Sequence, residues 1–174
     1  LGARYKDAKI VKVVECEKHA NADKLSVCKI DAGTGELVQV VCGAPNVHAG
    51  MWAVWLPPAS VVPSTFDDEE PFVLGARELR GVMSNGMMAS AKELAIGDDH
   101  NGIVEIAERD VPLSATLREG ASFAEVFGLD DTIIDIENKM FTHRPDLFGQ
   151  LAWHVRFMRL SDQTLIITSL LTSS

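Results

Sequence analysis

The chain has 174 residues, 47% hydrophobic and 24% charged, which is enough for one full globular domain and a smaller part, or for two small domains. Its 16 basic and 25 acidic side chains give a formal net charge of −9. This charge excludes a basic protein that attracts nucleic acid through its bulk charge, although a local basic surface remains compatible with it.

Three cysteines, an odd number, are too few for a disulfide framework and indicate reduced thiols in a cytoplasmic protein. No apolar run reaches the roughly 18 residues of a transmembrane helix, and residues 1–9 lack the pattern of a signal peptide. Because the chain does not begin with Met, we expect a fragment of a longer protein.

The first part of the chain is rich in short strand patterns. Apolar and β-branched residues bounded by Gly, Pro or polar turns predict strands at residues 10–16, 25–30, 37–42, 52–56, 79–89 and 103–106. Gly81 and Gly86 predict bends within the fifth of these segments. Since almost no helical pattern precedes Ser90, we predict a mainly β fold, a small barrel or sandwich in residues 1–110.

Two polar segments interrupt this pattern. Residues 67–70 are four consecutive acidic residues, which is typical of a solvated loop. Ser90 and Glu93 have the spacing of a capping box, which predicts a short helix over residues 90–94.

After about residue 110 the pattern becomes mixed. Residues 123–127 predict a short helix ended by Gly128, and residues 132–137 predict a strand. Pro145, followed by apolar residues at helical spacing, predicts a helix that runs to about residue 160. We therefore interpret residues 111–174 as a partial mixed α/β segment.

The residue types that carry enzymatic chemistry do not form a recognisable pattern. Cys16 and His19 have a spacing that suits a metal, but Cys28 and Cys42 stand singly on separate predicted strands, unlike the paired cysteines of a structural zinc site. Nothing marks Cys42 as an activated thiolate. We therefore expect neither a catalytic residue nor a metal site.

Three segments carry a resemblance to a known family. They are residues 19–25 (HANADKL), 41–47 (VCGAPNV) and 79–90 (LRGVMSNGMMAS). In this order they resemble the tRNA-binding module shared by endothelial monocyte-activating polypeptide-like proteins and the β chain of bacterial phenylalanyl-tRNA synthetase. Downstream, the sequences SAKEL and DHNGI, the residues 130–137 and Arg144-Pro145-Asp146 resemble the continuation found in the synthetase β chain.

This resemblance implies an OB-fold barrel of five strands that serves as an accessory tRNA-binding module in aminoacylation. It implies that the full enzyme is an α2β2 assembly that uses ATP and magnesium, with its catalytic site on the partner α chain and its editing site in a later β-chain domain. We therefore expect tRNA and the α chain as partners, and no cofactor in this fragment.

Polar residues of the three segments are the candidate tRNA contacts. They are Asn21, Asp23, Lys24, Asn46, Arg80, Ser84 and Ser90. The cations Lys24 and Arg80 suit phosphate, and the amide of Asn46 could read a base edge. Each has a structural alternative: turn closure for the loop residues, a surface salt bridge for the lysine, and capping or turn roles for the serines.

The sequence also departs from the family pattern. Ala20 replaces a common proline, and residues 72–78 hold one arginine and one glutamate where several lysines are common. Weak and salt-sensitive RNA binding is therefore expected. Two alternatives remain open: a structural or assembly module of the synthetase, which the acidic charge favours, and a free-standing tRNA-binding or chaperone-like OB protein.

Overall fold

The computed structural model of the chain describes residues 2–113, 115–129, 152–160 and 164–172. The chain divides into two compact units, Leu1–Thr132 and Ile133–Ser174. Within the described residues, no helix combines the length and the apolar character needed to span a membrane.

Seven short strands build the first unit. In chain order they are β1 (Lys9–Lys18), β2 (Ser26–Asp31), β3 (Leu37–Cys42), β4 (Trp52–Leu56), β5 (Arg77–Leu79), β6 (Val82–Ser84) and β7 (Met87–Met88). Five of them form an antiparallel sheet in the order β3-β2-β1-β4-β7, and β5 pairs with β6 as a separate hairpin.

The sheet curves until its two edges nearly meet. The Oγ of Ser84 accepts a hydrogen bond from the backbone N–H of Val41 at 2.9 Å, and the N–H of Asn85 donates to the carbonyl oxygen of Gln39 at 3.0 Å. These bonds join β3 to the end of β6 and to the turn that leads into β7. The predicted mainly β fold with a five-stranded barrel is therefore confirmed, and it fits the OB fold that the resemblance implies.

The first half of strand β1 is buried on both of its faces, at Ile10, Val11 and Val13, whereas its second half from Val14 onwards is mostly exposed. Val11 and Val13 point into the barrel, where they pack in one cluster with Cys28, whereas Ile10 belongs to a second cluster outside the barrel. The pairing register shifts between Val13 and Glu15, a bulge that bends β1 from its pairing with β4 towards β2.

The outer cluster is covered by the segment that follows the barrel. Helix α1 (Phe123–Phe127) ends at Gly128, as the sequence predicts, and the φ of this glycine is 64°, in the left-handed region. Its N-cap is Ser122, whose side chain accepts from the N–H of Glu125. The N–H of Phe123 donates to the Ala8 carbonyl oxygen at 3.0 Å. Residues 115–129 therefore continue the first unit, while the domain boundary at residues 110 and 111 stays a prediction.

A pair of glycines fixes this segment to the tip of the β2–β3 hairpin. Gly33 and Gly120 have φ values of 73° and 76°. A Cβ on Gly33 would lie 2.4 Å from the carbonyl oxygen of Glu119, and a Cβ on Gly120 would lie 2.3 Å from that of Ala32. The two backbones approach too closely for any side chain at either position.

Two element predictions in the first unit are wrong. Residues 103–106 form only an isolated bridge, Ala53 with Glu105. The side chain of Asn46 takes the backbone bonds of Ile103, while the N–H groups of Val104 and Ile106 donate to Ala89 and Trp52. Residues 90–94 form hydrogen-bonded turns and not a helix, although both capping-box bonds between Ser90 and Glu93 are present. The bends predicted at Gly81 and Gly86 are confirmed by φ values of 87° and 80°.

In the second unit, the described residues form two antiparallel strands, β8 (Ala152–Leu160) and β9 (Thr164–Thr172). The helix predicted to run to residue 160 is therefore wrong over β8. Trp153, Val155 and Phe157 also alternate with period two, and the β-branched sequence of β9 provides a pairing partner. The strand predicted at 132–137 and the helix start at Pro145 lie outside the described residues.

Candidate nucleic-acid interface

The loop of residues 19–25 is organised by a buried histidine. The ring Nδ1 of His19 accepts a hydrogen bond from the backbone N–H of Asn21 at 3.0 Å, and its Nε2 lies 3.0 Å from the Leu79 carbonyl oxygen. Because Nδ1 accepts, the ring hydrogen must be on Nε2, which then donates to Leu79. His19 is only 4% exposed. It therefore holds this loop against the end of β5.

The residue after Leu79 is one of the candidate cations. Arg80 and Gly81 have φ values of 53° and 87° and join β5 to β6 in a two-residue turn. Two positive φ values in succession are the signature of a type I′ hairpin turn. Arg80 is exposed at the tip of this turn, and a left-handed backbone costs such a residue on the order of 1 kcal/mol.

Lys24 and Arg80 therefore stand on two loops that His19 holds together. Both are exposed, and in the part of the chain that the structure describes neither forms a salt bridge. The described contacts therefore do not include the surface salt bridge that the sequence offers as an alternative role for Lys24. Asp23 precedes Lys24 directly and Glu78 lies two residues before Arg80, which keeps the local positive potential small.

Asn21 and Asp23 present their side chains to solvent. Both residues are exposed, and among the described hydrogen bonds of this loop none involves their side-chain atoms. The turn is closed instead by His19 and by backbone bonds, of which one runs from the N–H of Leu25 to the Ala22 carbonyl oxygen at 3.0 Å. The two polar side chains are therefore free to meet a ligand.

Asn46 makes a bidentate contact with the backbone. Its Nδ2 donates to the carbonyl oxygen of Ile103 at 2.8 Å, and its Oδ1 accepts from the N–H of Ile103 at 3.0 Å. Gly102 lies against the same amide, since a Cβ there would be 2.7 Å from Oδ1. A base edge could pair with Asn46 only if these two bonds opened.

The two candidate serines are buried. Ser84 is 3% exposed, and its Oγ accepts from the N–H of Val41 and donates to the Gly86 carbonyl oxygen at 3.0 Å. Ser90 is 5% exposed, and its Oγ donates to Oε2 of Glu93 at 2.7 Å. Both hydroxyls therefore support the backbone of the third motif from within.

The second and third motifs meet at a cavity of about 230 Å³. It lies where the end of β3, strand β7 and residues 100–103 come together. Its lining residues are Val41, Cys42, Gly43, Ala44, Met87, Met88, Ser90, Glu93, His100, Asn101, Gly102 and Ile103. A Cβ on Gly43 would lie 3.4 Å from Cδ2 of Leu25, so the end of the loop of residues 19–25 packs beside this lining residue.

The cysteines lack the environment of reactive thiols. Burial raises the pKa of the Cys42 thiol above its ordinary value of 9.0; a hydrogen bond from the Ala44 N–H opposes this, and Cys16 and Glu93 add to it. Burial also raises the pKa of Cys28, which lies 3.7 Å from the Cys16 sulfur. Among the described residues, no cluster of three histidine, cysteine or acidic side chains is placed to hold a metal ion.

The residues that assemble the interface give no recognisable signal in the sequence. There, His19 has only the spacing of a metal ligand, and Glu93 only that of a capping residue. A histidine in a polar turn gives no sign that its ring will be buried against a strand 60 residues away. Glu93 reaches the cavity because the turn at 90–94 follows β7 directly.

A family model and two similar proteins both connect this chain with tRNA. The family model described as "Putative tRNA binding domain" matches residues 8–115. The phenylalanine–tRNA ligase β subunit of Rhodopseudomonas palustris is 46% identical over 141 residues, which are 80% of this chain and 16% of that protein. The same subunit of Ralstonia nicotianae is 45% identical over 128 residues, 72% of this chain and 14% of that protein.

The chain thus spans about a sixth of the length of these relatives. Among solved structures, a Naegleria gruberi RNA ligase with pyrophosphate aligns with a TM-score of 0.45 and 14% identity over 97% of this chain and 56% of that chain, values too low to assign a fold. The family match, in contrast, covers the whole barrel and more than half of the chain. This chain therefore belongs to the family of tRNA-binding domains.

Proposed function

We propose that this chain is the tRNA-binding module of a phenylalanine–tRNA ligase β subunit. It assists aminoacylation by holding phenylalanine tRNA and carries no catalytic residue of its own. The family match and the identity to two ligase β subunits support this role. The structural observation that carries it is the contact of His19 with Leu79, which brings the loop of Lys24 next to the turn of Arg80.

Two exposed cations on neighbouring loops suit the phosphates of one RNA backbone. Arg80 offers a planar fork of donors and Lys24 a compact charge, and both contact phosphate in protein–RNA interfaces. Two such contacts on a protein of net charge −9 give weak binding that falls steeply with salt. The remainder of the ligase would have to supply most of the affinity for tRNA.

The test is filter binding of phenylalanine tRNA to the 174-residue chain at several low salt concentrations. The variant Lys24→Ala/Arg80→Ala is expected to bind on the order of tenfold more weakly. Its slope of log affinity against log salt should be smaller by about 1.5, since each lost phosphate contact removes roughly 0.7–0.9.

The matched control is Lys6→Ala/Arg109→Ala, which removes two exposed cations from other parts of the first unit and changes the net charge equally. The control should keep the wild-type slope and most of the affinity. Equal losses in both variants would mean that only net charge matters, and an absence of tRNA binding in the wild-type chain would reject the proposed function.

A structural or assembly role is the second candidate, and the net charge of −9 favours it. In that case the barrel would shape the ligase without contacting RNA. A ligase lacking this first unit, Leu1–Thr132, separates the two roles. Weaker tRNA binding with intact subunit assembly supports the proposed function, whereas lost assembly with unchanged affinity for tRNA supports the alternative.

The full ligase is proposed to be an α2β2 assembly in the cytoplasm, with this module on the β subunit. We propose that its ATP and magnesium are used at the catalytic site of the α subunit. The part played by this chain is binding alone: it orients tRNA through side chains such as Lys24 and Arg80.

A further inference from the structure

We propose that Cys16 and Cys28 are a modification site, at which hydrogen peroxide joins the two thiols in a reversible disulfide. The two residues are register partners on β1 and β2, and their sulfur atoms lie 3.7 Å apart. The bond would tie together the strands on either side of the loop of residues 19–25, which carries Lys24. The inference goes beyond the proposed function, because the bond forms without RNA.

The type of strand pairing brings the two cysteines close together. The N–H of His19 donates to the Leu25 carbonyl oxygen at 2.9 Å, which makes these residues a hydrogen-bonded pair that continues the ladder of β1 and β2. Hydrogen-bonded and non-hydrogen-bonded pairs alternate along antiparallel strands, so Cys16 and Cys28 form a non-hydrogen-bonded pair. The Cα atoms of such pairs lie about 4.5 Å apart, within the range of roughly 4.4–6.8 Å that disulfides span.

Both side chains lie on the inner side of the sheet. Cys28 is fully buried in the inner cluster of the barrel, and Cys16 packs against that cluster. A disulfide bond is roughly 2.0 Å long, so the sulfur atoms must approach by a further ~1.7 Å. Rotation about the Cα–Cβ bonds moves sulfur atoms by such distances, and the strands themselves therefore need not separate.

The third cysteine of the barrel is placed differently. Cys42 is the register partner of Ser26 in the pairing of β2 with β3, and its sulfur accepts a hydrogen bond from the Ala44 N–H at 3.4 Å. Among the described hydrogen bonds, only the one between Cys16 and Cys28 joins two sulfur atoms. Cys42 therefore provides a control thiol in the same barrel.

The order of the chemical steps follows from the burial of the two thiols. Burial raises the pKa of Cys28, whereas Cys16 is partly exposed and is the thiol that peroxide can reach. The Cys16 thiolate attacks one peroxide oxygen, the O–O bond breaks, and the departing hydroxide takes up the proton that Cys16 released. Cys16 is now a sulfenic acid. The Cys28 sulfur attacks the Cys16 sulfur and displaces hydroxide, which takes the Cys28 proton. Two thiols thus lose two electrons to one hydrogen peroxide, which leaves as two water molecules.

Proximity, and not activation of a thiol, favours this bond. Neither thiol has the surroundings of a catalytic cysteine, so we expect the reaction to be slow and to need peroxide in excess. In the reduced chain, Sγ of Cys16 donates to the Val47 carbonyl oxygen at 3.7 Å, a contact with the second motif that the disulfide would remove. Oxidation therefore exchanges a contact between β1 and the second motif for a covalent bond between β1 and β2.

The experiment treats the reduced 174-residue chain with excess hydrogen peroxide, blocks the remaining thiols by alkylation and digests the chain with trypsin. The two thiols fall in separate tryptic peptides, residues 13–18 and residues 25–29, and Cys42 falls in a third. Mass spectrometry should find the first two peptides joined, lighter than their sum by two hydrogen atoms, and separate again after reduction with dithiothreitol. If these peptides stay separate, or join only to the peptide of Cys42, the proposal is overturned.

The same oxidation of the chain unfolded in urea shows whether the fold selects the pair. In the unfolded chain Cys28 is about equally distant in sequence from Cys16 and from Cys42, so a mixture of both pairings should form. The folded chain should give the first pairing alone. The same mixture in the folded chain would overturn the proposal, because the strand register would then have no part in the selection.

Two serine variants test the order of the steps. In Cys28→Ser the sulfenic acid of Cys16 has no partner, so the peptide of residues 13–18 should gain one oxygen atom, and dimedone should trap it. Cys42→Ser is the matched control and should form the disulfide to the wild-type extent. An unmodified Cys16 in a folded Cys28→Ser chain would refute its role as the first thiol. If that variant does not fold, as judged by circular dichroism, the pairings in the folded and unfolded wild-type chain decide the proposal.

Discussion

The two hydrogen bonds between Asn46 and Ile103 predict that Asn46→Ala destabilises the first unit. Both bonds have good length, 2.8 and 3.0 Å, and Ile103 is 8% exposed, so its backbone groups are poorly placed to find water as a replacement. A hydrogen bond contributes roughly 0.5–1.5 kcal/mol net, so the free energy of unfolding should fall by about 1–3 kcal/mol. With a typical slope of about 2 kcal/mol per molar urea, the midpoint should shift by roughly 0.5–1.5 M.

The assay is urea unfolding of the 174-residue chain, followed by circular dichroism and tryptophan fluorescence. Asn46→Asp should be at least as destabilising as Asn46→Ala, because a carboxylate oxygen would replace the amide that donates to the Ile103 carbonyl. Asn21→Ala is the matched control, since that exposed amide makes no described side-chain bond. If Asn46→Ala unfolds at the same urea concentration as the control but binds RNA more weakly, the stabilising role of the Asn46–Ile103 bonds is refuted. A direct contact of Asn46 with a base is then favoured.

Two further predictions concern buried polar groups. His19→Phe should lower the free energy of unfolding by about 2–4 kcal/mol in the same urea assay, since it leaves the Leu79 carbonyl and one backbone N–H without partners; an unchanged midpoint would contradict the role of the ring. Raised pKa values of Cys28 and Cys42 mean that their protonated thiols stabilise the fold below the unfolded pKa of about 9. Stability should therefore decline as pH rises above 9, by up to about 1.4 kcal/mol per pH unit and thiol, and a Cys28→Ala/Cys42→Ala chain should decline less steeply.

The sheet of the barrel could be read from the sequence because its signals are local. Strands β3 and β4 have the predicted bounds, and the bends at Gly81 and Gly86 follow from glycine alone. The short helix α1 is predictable for the same reason, since Gly128 marks its end. These features depend on neighbours a few residues apart.

The errors lie where contacts between distant parts of the chain decide the local structure. Residues 103–106 have a strand sequence, but the side chain of Asn46 bonds to the backbone of Ile103, and only Glu105 forms a bridge. Over β8 the apolar residues satisfy both the helical and the strand period, and only the partner strand β9 resolves the ambiguity.

In the candidate site, too, the sequence predicts what depends on neighbouring residues and not what depends on distant ones. The exposed cations Lys24 and Arg80 could be singled out from their motifs, because charge in a polar loop is a local property. The burial of Ser84 could not be predicted from the sequence, since it depends on the edge of β3, where the Ser84 hydroxyl bonds to Val41. Nor could the cavity, since Glu93 and His100 acquire their positions from the path of the whole barrel.

The close approach of Gly33 and Gly120 has a consequence for how such a module can be moved between proteins. The backbone at residues 119 and 120 seals the tip of the β2–β3 hairpin, yet it lies beyond residue 115, where the family match ends. A gene fusion that joins a new partner directly after residue 115 would transfer the strands but leave that tip open. The transferable piece therefore extends through α1, and a recombination point inside residues 116–127 would break it.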